Sequence, residues 1–203
     1  MNTQIYDDLV SDYKKRQKKK LLIAFAVMVL GLLLIVTVIG GIAALVAWVY
    51  LLCEGIRTIS TTKARKRSKK ELQSKGLYDA AMQVLQHAER LQLDGLTYAW
   101  TKDFFFTGYG AIFPMQKIAW IFPYTYTARK MMISITRQHW CQIMMLDGTR
   151  RVAFWGQVKD QAAFKEMLHG MRSVNPELQI GRTPANEELY NQRVTLYKAA
   201  QGL

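Results

Sequence analysis

An uncharged apolar run from Leu21 to Cys53 constrains this chain more than any other feature of its sequence. The run has 33 residues, whereas a helix crosses the hydrocarbon core of a bilayer in about 20. As one straight helix it would be about 50 Å long, against a core about 30 Å thick. The run therefore predicts either one tilted span or two short spans. It exceeds the apolar core of a cleaved signal peptide, so we interpret it as a retained membrane anchor.

Each end of the apolar run is flanked by a cluster of six Lys or Arg residues. Basic residues next to a membrane span resist translocation and attract anionic lipid headgroups. The predicted contacts with the lipid surface are Lys14, Lys15, Arg16, Lys18, Lys19, Lys20, Lys63, Arg65, Lys66, Arg67, Lys69 and Lys70.

These flanks bear on the number of membrane crossings. A single span must export one basic cluster, whereas a helical hairpin keeps both clusters and both chain ends in the cytoplasm. The charge pattern therefore favours a transmembrane helical hairpin, with Gly40-Gly41 as the predicted point of reversal. The alternative reading is that Gly31, Gly40 and Gly41 allow close contact between membrane helices.

The net charge of +13 has two usual meanings, a nucleic acid partner or an anionic membrane surface. Because the charge is concentrated beside the apolar run, we expect an anionic bilayer as partner and no nucleic acid. The only two cysteines, Cys53 and Cys141, are far apart in the sequence and differ in their surroundings. They predict no disulfide, which is typical of a reducing compartment.

The sequence divides into five predicted segments. They are an amphipathic basic N-terminal segment (1–20), the transmembrane segment (21–59), a basic linker with an amphipathic helix (60–94), a folded domain (95–175) and a tail with a short helix (176–203). The domain begins where Asp94-Gly95 ends the helical periodicity and a region dense in aromatic and β-branched residues follows.

Seven short strands are predicted in this domain, and Pro123 interrupts the longest of them. Asp147-Gly148 between two strand patterns predicts a tight β-hairpin turn. A helix over 158–173 follows, with Asp160 near its start and Asn175-Pro176 at its end.

This order of seven antiparallel strands and one helix resembles a pleckstrin-homology-like (PH-like) domain. The resemblance covers 95–175 and is carried by the "LT…KDFFF" opening, the "DGT…F" hairpin and the closing helix. The predicted domain is similar to bacterial PH-like domains, which occur in small membrane-anchored proteins of an uncharacterised family. The resemblance implies an α+β fold in which a bent antiparallel sheet or barrel is closed by its C-terminal helix. It implies no shared active site.

The residues themselves predict no catalytic chemistry. His139 and Cys141 would share a sheet face, but no third group is spaced to orient them as a nucleophile and base. Two cysteines and three histidines do not supply a zinc site, and no phosphate-binding glycine motif is present. We therefore expect no catalytic, metal-binding or cofactor-binding residues and assign the chain as a non-enzyme.

Aromatic and basic side chains of the domain are the remaining candidates for binding. About half of the aromatic cluster is expected to face the core: Trp100, Phe104, Phe105, Phe106, Trp120, Phe122, Tyr124 and Tyr126. Basic loop residues hold phosphoinositides in lipid-binding PH domains, but the domain's basic residues are interpreted as a solvated face: Arg129, Lys130, Arg137, Arg150 and Arg151.

The sequence thus predicts an integral protein of the cell membrane that presents a cytoplasmic PH-like binding or scaffold domain at the membrane surface. Its expected partners are the anionic bilayer and a protein of unknown identity, and a homo-oligomer is left open. The alternative is an accessory subunit of a transport or secretion complex, whose helical hairpin packs against partner helices.

Overall fold

The computed structural model describes residues 4–33, 38–130 and 133–202 of the chain. The fold is a mixed α+β one. The helices are α1 (Gln4–Leu33), α2 (Val38–Ser74), α3 (Tyr78–Val84), α4 (Gln161–Val174) and α5 (Pro184–Ala200). The strands are β1 (Glu89–Leu93), β2 (Leu96–Trp100), β3 (Phe104–Phe106), β4 (Ile112–Pro114), β5 (Ile118–Lys130), β6 (Ile133–Met145), β7 (Arg150–Trp155) and β8 (Gln179–Ile180).

Two long helices contain both the apolar run and its basic flanks. α1 has 30 residues and α2 has 37, so the predicted boundaries at 20 and 59 are not helix ends. Lys, Arg, Gln and Glu favour helix nearly as much as Leu does, and the helix therefore continues from apolar into basic sequence. Within α2, the stretch Ile42–Ser74 contains a window apolar enough to cross a membrane.

α1 and α2 lie side by side and antiparallel. The Tyr13 hydroxyl lies 2.7 Å from the Thr61 hydroxyl, and Lys20 contacts Glu54. From the first contact to the second, the residue number rises along α1 and falls along α2, as it does in antiparallel helices. Gly40 and Gly41 lie inside α2, so the predicted reversal at these glycines is wrong. A Gly-Gly pair permits a turn without imposing one, and helical hydrogen bonding is the stronger demand in apolar sequence. The segment 34–37 between the two helices lies outside the described residues.

The helical part of the linker is interrupted and ends earlier than expected. α2 continues to Ser74, α3 and a 3-10 turn at Leu85–His87 follow, and 89–93 forms strand β1. Asp94 and Gly95 both have positive φ, 51° and 73°, which is the geometry of a tight turn that joins two antiparallel strands. This Asp-Gly pair therefore connects β1 to β2, whereas the sequence pattern had indicated only the end of a helix.

The strands form two four-stranded sheets, β1-β2-β3-β4 and β7-β6-β5-β8. Seven strands in one bent sheet were expected, but β1 and β8 lie outside 95–175, and β8 pairs with β5 in parallel. Pro123 does not interrupt β5 and lies opposite Cys141 of β6. It is tolerated because β8 pairs only with Trp120 and Ile121, which leaves that edge of β5 without a strand partner at Pro123 in the described chain.

The local signals near the C-terminal half of the domain are confirmed. The Met145 N–H donates to the Thr149 carbonyl at 2.9 Å across the Asp147-Gly148 turn. The Asp160 carboxylate caps α4 by accepting from the Ala163 N–H at 2.9 Å. The tail is more than a short helix, because α5 has 17 residues and buries Tyr190 against Trp120.

The main hydrophobic core lies between the two sheets and α4. The helix contributes its four buried apolar residues, Phe164, Met167, Leu168 and Met171. From the sheets come Phe105, Ile121, Ile143 and Phe154, among others. α4 therefore covers the space between the sheets, as its amphipathic pattern predicted.

The aromatic side chains of β2 and β3 are buried on both faces of their sheet, whereas only about half of the cluster was expected to face the core. Phe105 belongs to the main core, whereas Phe104 and Phe106 belong to a second core with Tyr6 of α1 and Leu72 of α2. The outer face of the β1–β4 sheet is therefore covered by the ends of the long helices. Trp100, Trp120 and Phe122 are buried as well and Tyr124 is half-buried; the Tyr126 side chain lies outside the described residues.

Candidate functional site

The twelve predicted lipid-contact residues lie along the pair α1–α2. Because the helices are antiparallel, 14–20 lies beside 54–61, and 63–70 lies about two helical turns further from the apolar halves. Ten of the twelve side chains are exposed, and Lys20 and Arg65 are half-buried. The clusters therefore follow one another along the helix pair and form an extended basic surface.

A buried acid marks the boundary between apolar and basic sequence. The Glu54 carboxylate lies 3.6 Å from the Lys20 ammonium and 3.5 Å from the Arg57 guanidinium. Glu54 and Arg57 have the i,i+3 spacing at which side chains on one helix face meet. The ion pair to Lys20 was not expected, because it joins two helices.

Hydrogen bonds hold the helix pair to the α+β domain at several points. Arg57 donates to the Trp155 carbonyl at the end of β7, and Arg16 donates to the Asp94 carbonyl in the β1–β2 turn. The Tyr6 hydroxyl donates to the Gly110 carbonyl. Burial, reinforced by Tyr78, raises the pKa of Tyr6 to about 12, so this donor stays protonated at physiological pH.

A groove lies between α1 and α2 where they meet the domain, and we call it the junction groove. Its volume is about 530 Å³. Its walls carry apolar, hydroxyl-bearing, amide and basic side chains: Leu21, Leu22, Phe25, Leu51, Tyr13, Thr58, Thr61, Thr62, Tyr109, Gln17, Lys14, Lys18 and Arg65. No carboxylate is among these residues, so the field inside the groove favours an anion.

A second concavity, of about 290 Å³, lies between α2 and β7, and we call it the basic pocket. Lys63 and Arg67 of α2 and Arg150 and Arg151 of β7 line it, and Glu71 is the one carboxylate among its described lining residues. In the sequence, the basic cluster 63–70 and the Arg150-Arg151 pair are separate features about 80 residues apart. Only tertiary contact brings them together, and no spacing in the sequence indicated it.

The remaining basic residues of the domain lie in the two long strands. Arg129-Lys130 belongs to β5, which continues through Lys130. Arg137 lies opposite Thr127 in the β5–β6 ladder. The side chains of these three residues are outside the described part of the chain, so their role in binding stays untested.

The environment of Cys141 speaks against nucleophilic chemistry. The residue is fully buried in the main core, and burial raises the pKa of its thiol well above the usual value. The reactive form of cysteine is the thiolate, which such a site disfavours. The His139 Nδ1 atom lies 3.0 Å from the Thr125 hydroxyl. In the described ranges, no group of three His, Cys, Asp or Glu side chains is placed to hold a metal ion.

Comparison of the chain with protein-family models, with curated proteins and with solved structures gave no match.

Proposed function

We propose that this chain is an integral membrane protein whose apolar helix halves form a transmembrane hairpin and hold a cytoplasmic PH-like binding domain against an anionic bilayer. We propose no catalytic role for it. The observation that carries the proposal is the continuity of α2 (Val38–Ser74). One helix passes without a break from exposed apolar residues to a basic half that is hydrogen-bonded to the domain.

The exposed surface of the apolar halves supports a position in the bilayer. Large aliphatic and aromatic side chains point outward along both helices, among them Leu22, Phe25, Leu45 and Ile56. Soluble proteins rarely expose an apolar surface of this extent, and contact with lipid would remove it from water.

Orientation follows from charge. The antiparallel contacts place the basic halves of both helices at the same end of the pair, beside the domain. Basic residues next to membrane spans stay on the cytoplasmic side. Both chain ends and the domain are therefore assigned to the cytoplasm.

The domain's architecture supports the PH-like assignment. Two packed, mainly antiparallel sheets enclose an apolar core, and α4 covers it with Phe164, Met167 and Met171. Such a scaffold offers loops and grooves for binding without a catalytic centre.

The alternative, an accessory subunit whose hairpin packs against partner helices, drew its support from the small residues of the apolar run. Gly31, Ala44 and Ala47 are buried, and an added Cβ at Gly31 would lie 2.8 Å from the Ala44 backbone nitrogen. At least Gly31 and Ala44 are therefore used within the pair α1–α2. The outward face carries large apolar side chains, which suit lipid better than close helix contact.

Cysteine labelling in intact cells tests the topology. In a Cys53→Ser background, where the remaining Cys141 is fully buried, one added cysteine replaces the exposed Asp8, the exposed Gln201, or Thr37 in the segment between the two helices. An impermeant maleimide should label Thr37→Cys from outside and label the other two only after permeabilisation. Labelling of Asp8→Cys or Gln201→Cys in intact cells would contradict the hairpin, and recovery of the wild-type chain in the soluble fraction would contradict the membrane location.

A further inference from the structure

We propose that the junction groove binds one anionic phospholipid, with an acyl chain along its apolar end and the phosphate at its basic end. This inference rests on the proposed membrane location. It proposes one specific site for a lipid, whereas the general attraction between basic residues and a lipid surface requires no such site.

Both walls of the groove change from basic to apolar side chains in the same direction. On α1, Lys14, Lys18, Leu22 and Phe25 follow one another at helical spacing, so that one face passes from basic to apolar. On α2, Arg65, Thr58 and Leu51 do the same in the opposite chain direction. Because the helices are antiparallel, the two apolar ends coincide.

The apolar end is accessible to an acyl chain. Leu22 and Phe25 are 64% and 56% exposed, which is unusual for side chains of this size beside a folded domain. They lie on the part of α1 that belongs to the proposed membrane span. An acyl chain could therefore enter the groove from the bilayer without leaving an apolar environment.

The basic end suits a phosphate. Lys14 and Lys18 lie one turn apart on α1, and Arg65 of α2 lies at the same end of the groove, one turn beyond Thr61. Arg65 is half-buried, and its stem lies against the Gly110 backbone of the domain, which fixes its position. An arginine can bind two phosphate oxygens at once.

Hydroxyl groups lie at the level of the basic side chains. The Tyr13 and Thr61 hydroxyls are 2.7 Å apart, and the Thr58 hydroxyl, beside Gln17, donates to the Glu54 carbonyl at 2.8 Å. Hydroxyl oxygens can still accept hydrogen bonds in such pairs. The polar head of a phospholipid, with its phosphate and glycerol oxygens, would lie at this level.

Size and lining favour a lipid over a free anion. A volume of about 530 Å³ with apolar residues over one end exceeds what a phosphate ion fills. Apolar walls with a few polar groups are typical of sites for amphipathic ligands. A helix from a second protein is the other occupant that such a groove could take, and the experiment separates the two.

The test is native mass spectrometry of the full chain, purified in mild detergent and delipidated, with added phosphatidylglycerol or phosphatidylcholine. We expect one phosphatidylglycerol to remain bound at high salt and phosphatidylcholine to bind at least tenfold more weakly, about 1.4 kcal/mol. The rim variant Lys14→Gln/Lys18→Gln/Arg65→Gln should lose this preference.

The matched control is Lys15→Gln/Lys19→Gln/Lys66→Gln, which removes the same charge from the same two helices at residues that do not line the groove. It should keep the preference within about twofold, well under 1 kcal/mol. A charge-neutral variant, Thr62→Trp, fills the groove and should also abolish the one-lipid complex. It serves as the test if the rim variant does not fold.

Three results would overturn the proposal. These are equal losses in the rim and control variants, equal binding of the two lipids, and one-lipid binding that Thr62→Trp leaves unchanged. Equal losses would leave only general electrostatic attraction.

Co-purification of a stoichiometric protein that rim substitution releases would assign the groove to a helix instead. A chain absent from the membrane fraction would fail the proposed function itself, whereas a membrane-bound chain without lipid preference would fail only this inference.

Discussion

The Lys20 ammonium on α1 lies 3.6 Å from the buried Glu54 carboxylate on α2. The contact stands where the apolar half of each helix gives way to its basic half. Arg57 reaches the same carboxylate and also donates to the Trp155 carbonyl of β7. One buried acid therefore joins the two long helices and connects them to the domain.

Glu54→Gln should lower the free energy of unfolding by on the order of 2 kcal/mol, because it leaves two cations without the acid between them. The loss should fall short of that for a fully buried pair, since Lys20 is 32% exposed. Thermal unfolding in detergent measures it. Glu71→Gln is the control: its pair with Lys75 is shorter, 2.8 Å, but exposed, and should cost less than about 0.5 kcal/mol. Equal losses would contradict the role of burial.

Gly31→Ala should destabilise the helix pair by about 1–3 kcal/mol, because the added methyl group meets backbone rather than a movable side chain. An ideal Cβ at Gly31 lies 2.8 Å from the Ala44 nitrogen. Gly55→Ala has nothing within 4 Å of the new methyl group and should be neutral or stabilising by up to about 1 kcal/mol. Unfolding of both variants in detergent decides the matter, and a neutral Gly31→Ala would contradict the close contact.

Phe164→Ala should cost about 3–5 kcal/mol, the usual loss for a large aromatic side chain removed from a core. Phe164 of α4 lies edge-on to Phe154 of β7, with ring centroids 5.6 Å apart. The exposed neighbour Lys165 provides the control, since Lys165→Ala should change stability by less than about 0.5 kcal/mol.

Deleting the chain from Val158 onward should expose the core and cause aggregation. A soluble, cooperatively folding 95–157 fragment would show that α4 is dispensable.

The charged Asp147 carboxylate should stabilise the folded domain at neutral pH, and this stabilisation should disappear in acid. Although partial burial opposes it, hydrogen bonds from the Thr149 hydroxyl and N–H, with Arg151 and Lys117 nearby, hold the pKa of Asp147 below its usual range. A depressed carboxyl pKa stabilises the fold above the unfolded value of about 3.9, and the contribution is lost as the pH falls through the folded pKa.

Asp147→Asn keeps an oxygen that can accept from Thr149 but removes the charge. Its melting temperature should therefore lie below that of the wild type at pH 7, and the gap should close below about pH 4. A gap that stays constant across this range would assign the role of Asp147 to shape rather than charge.

Several features of the fold could be predicted because their causes are local. The Asp147-Gly148 turn and the Asp160 cap depend on a few consecutive residues, and both are confirmed. Asp94-Gly95 carries the same turn signal, but "ERLQL" before it also fits a helical pattern. Pairing with β2 decided that these residues form a strand.

The candidate site, too, could be predicted from the sequence only in part. Charge and hydropathy along the sequence identified the twelve basic residues, because nearness to an apolar run is visible in one dimension. They did not indicate that Arg65 would line one groove with Lys14 and Lys18, or that Arg150 and Arg151 would line one pocket with Lys63 and Arg67. Those arrangements depend on how α1, α2 and β7 lie against one another.

The sequence by itself determined that the chain carries an uncharged apolar run long enough to cross a membrane, with basic flanks, and that an α+β region follows it. These outcomes depend on composition and short-range pattern, which act before any tertiary contact forms. Tertiary structure alone decided that the ends of the long helices cover the outer face of the β1–β4 sheet. It also decided that Lys20 meets Glu54 across two helices. The physical reason is that burial and pairing depend on which surfaces come together, and residues distant in the chain supply those surfaces.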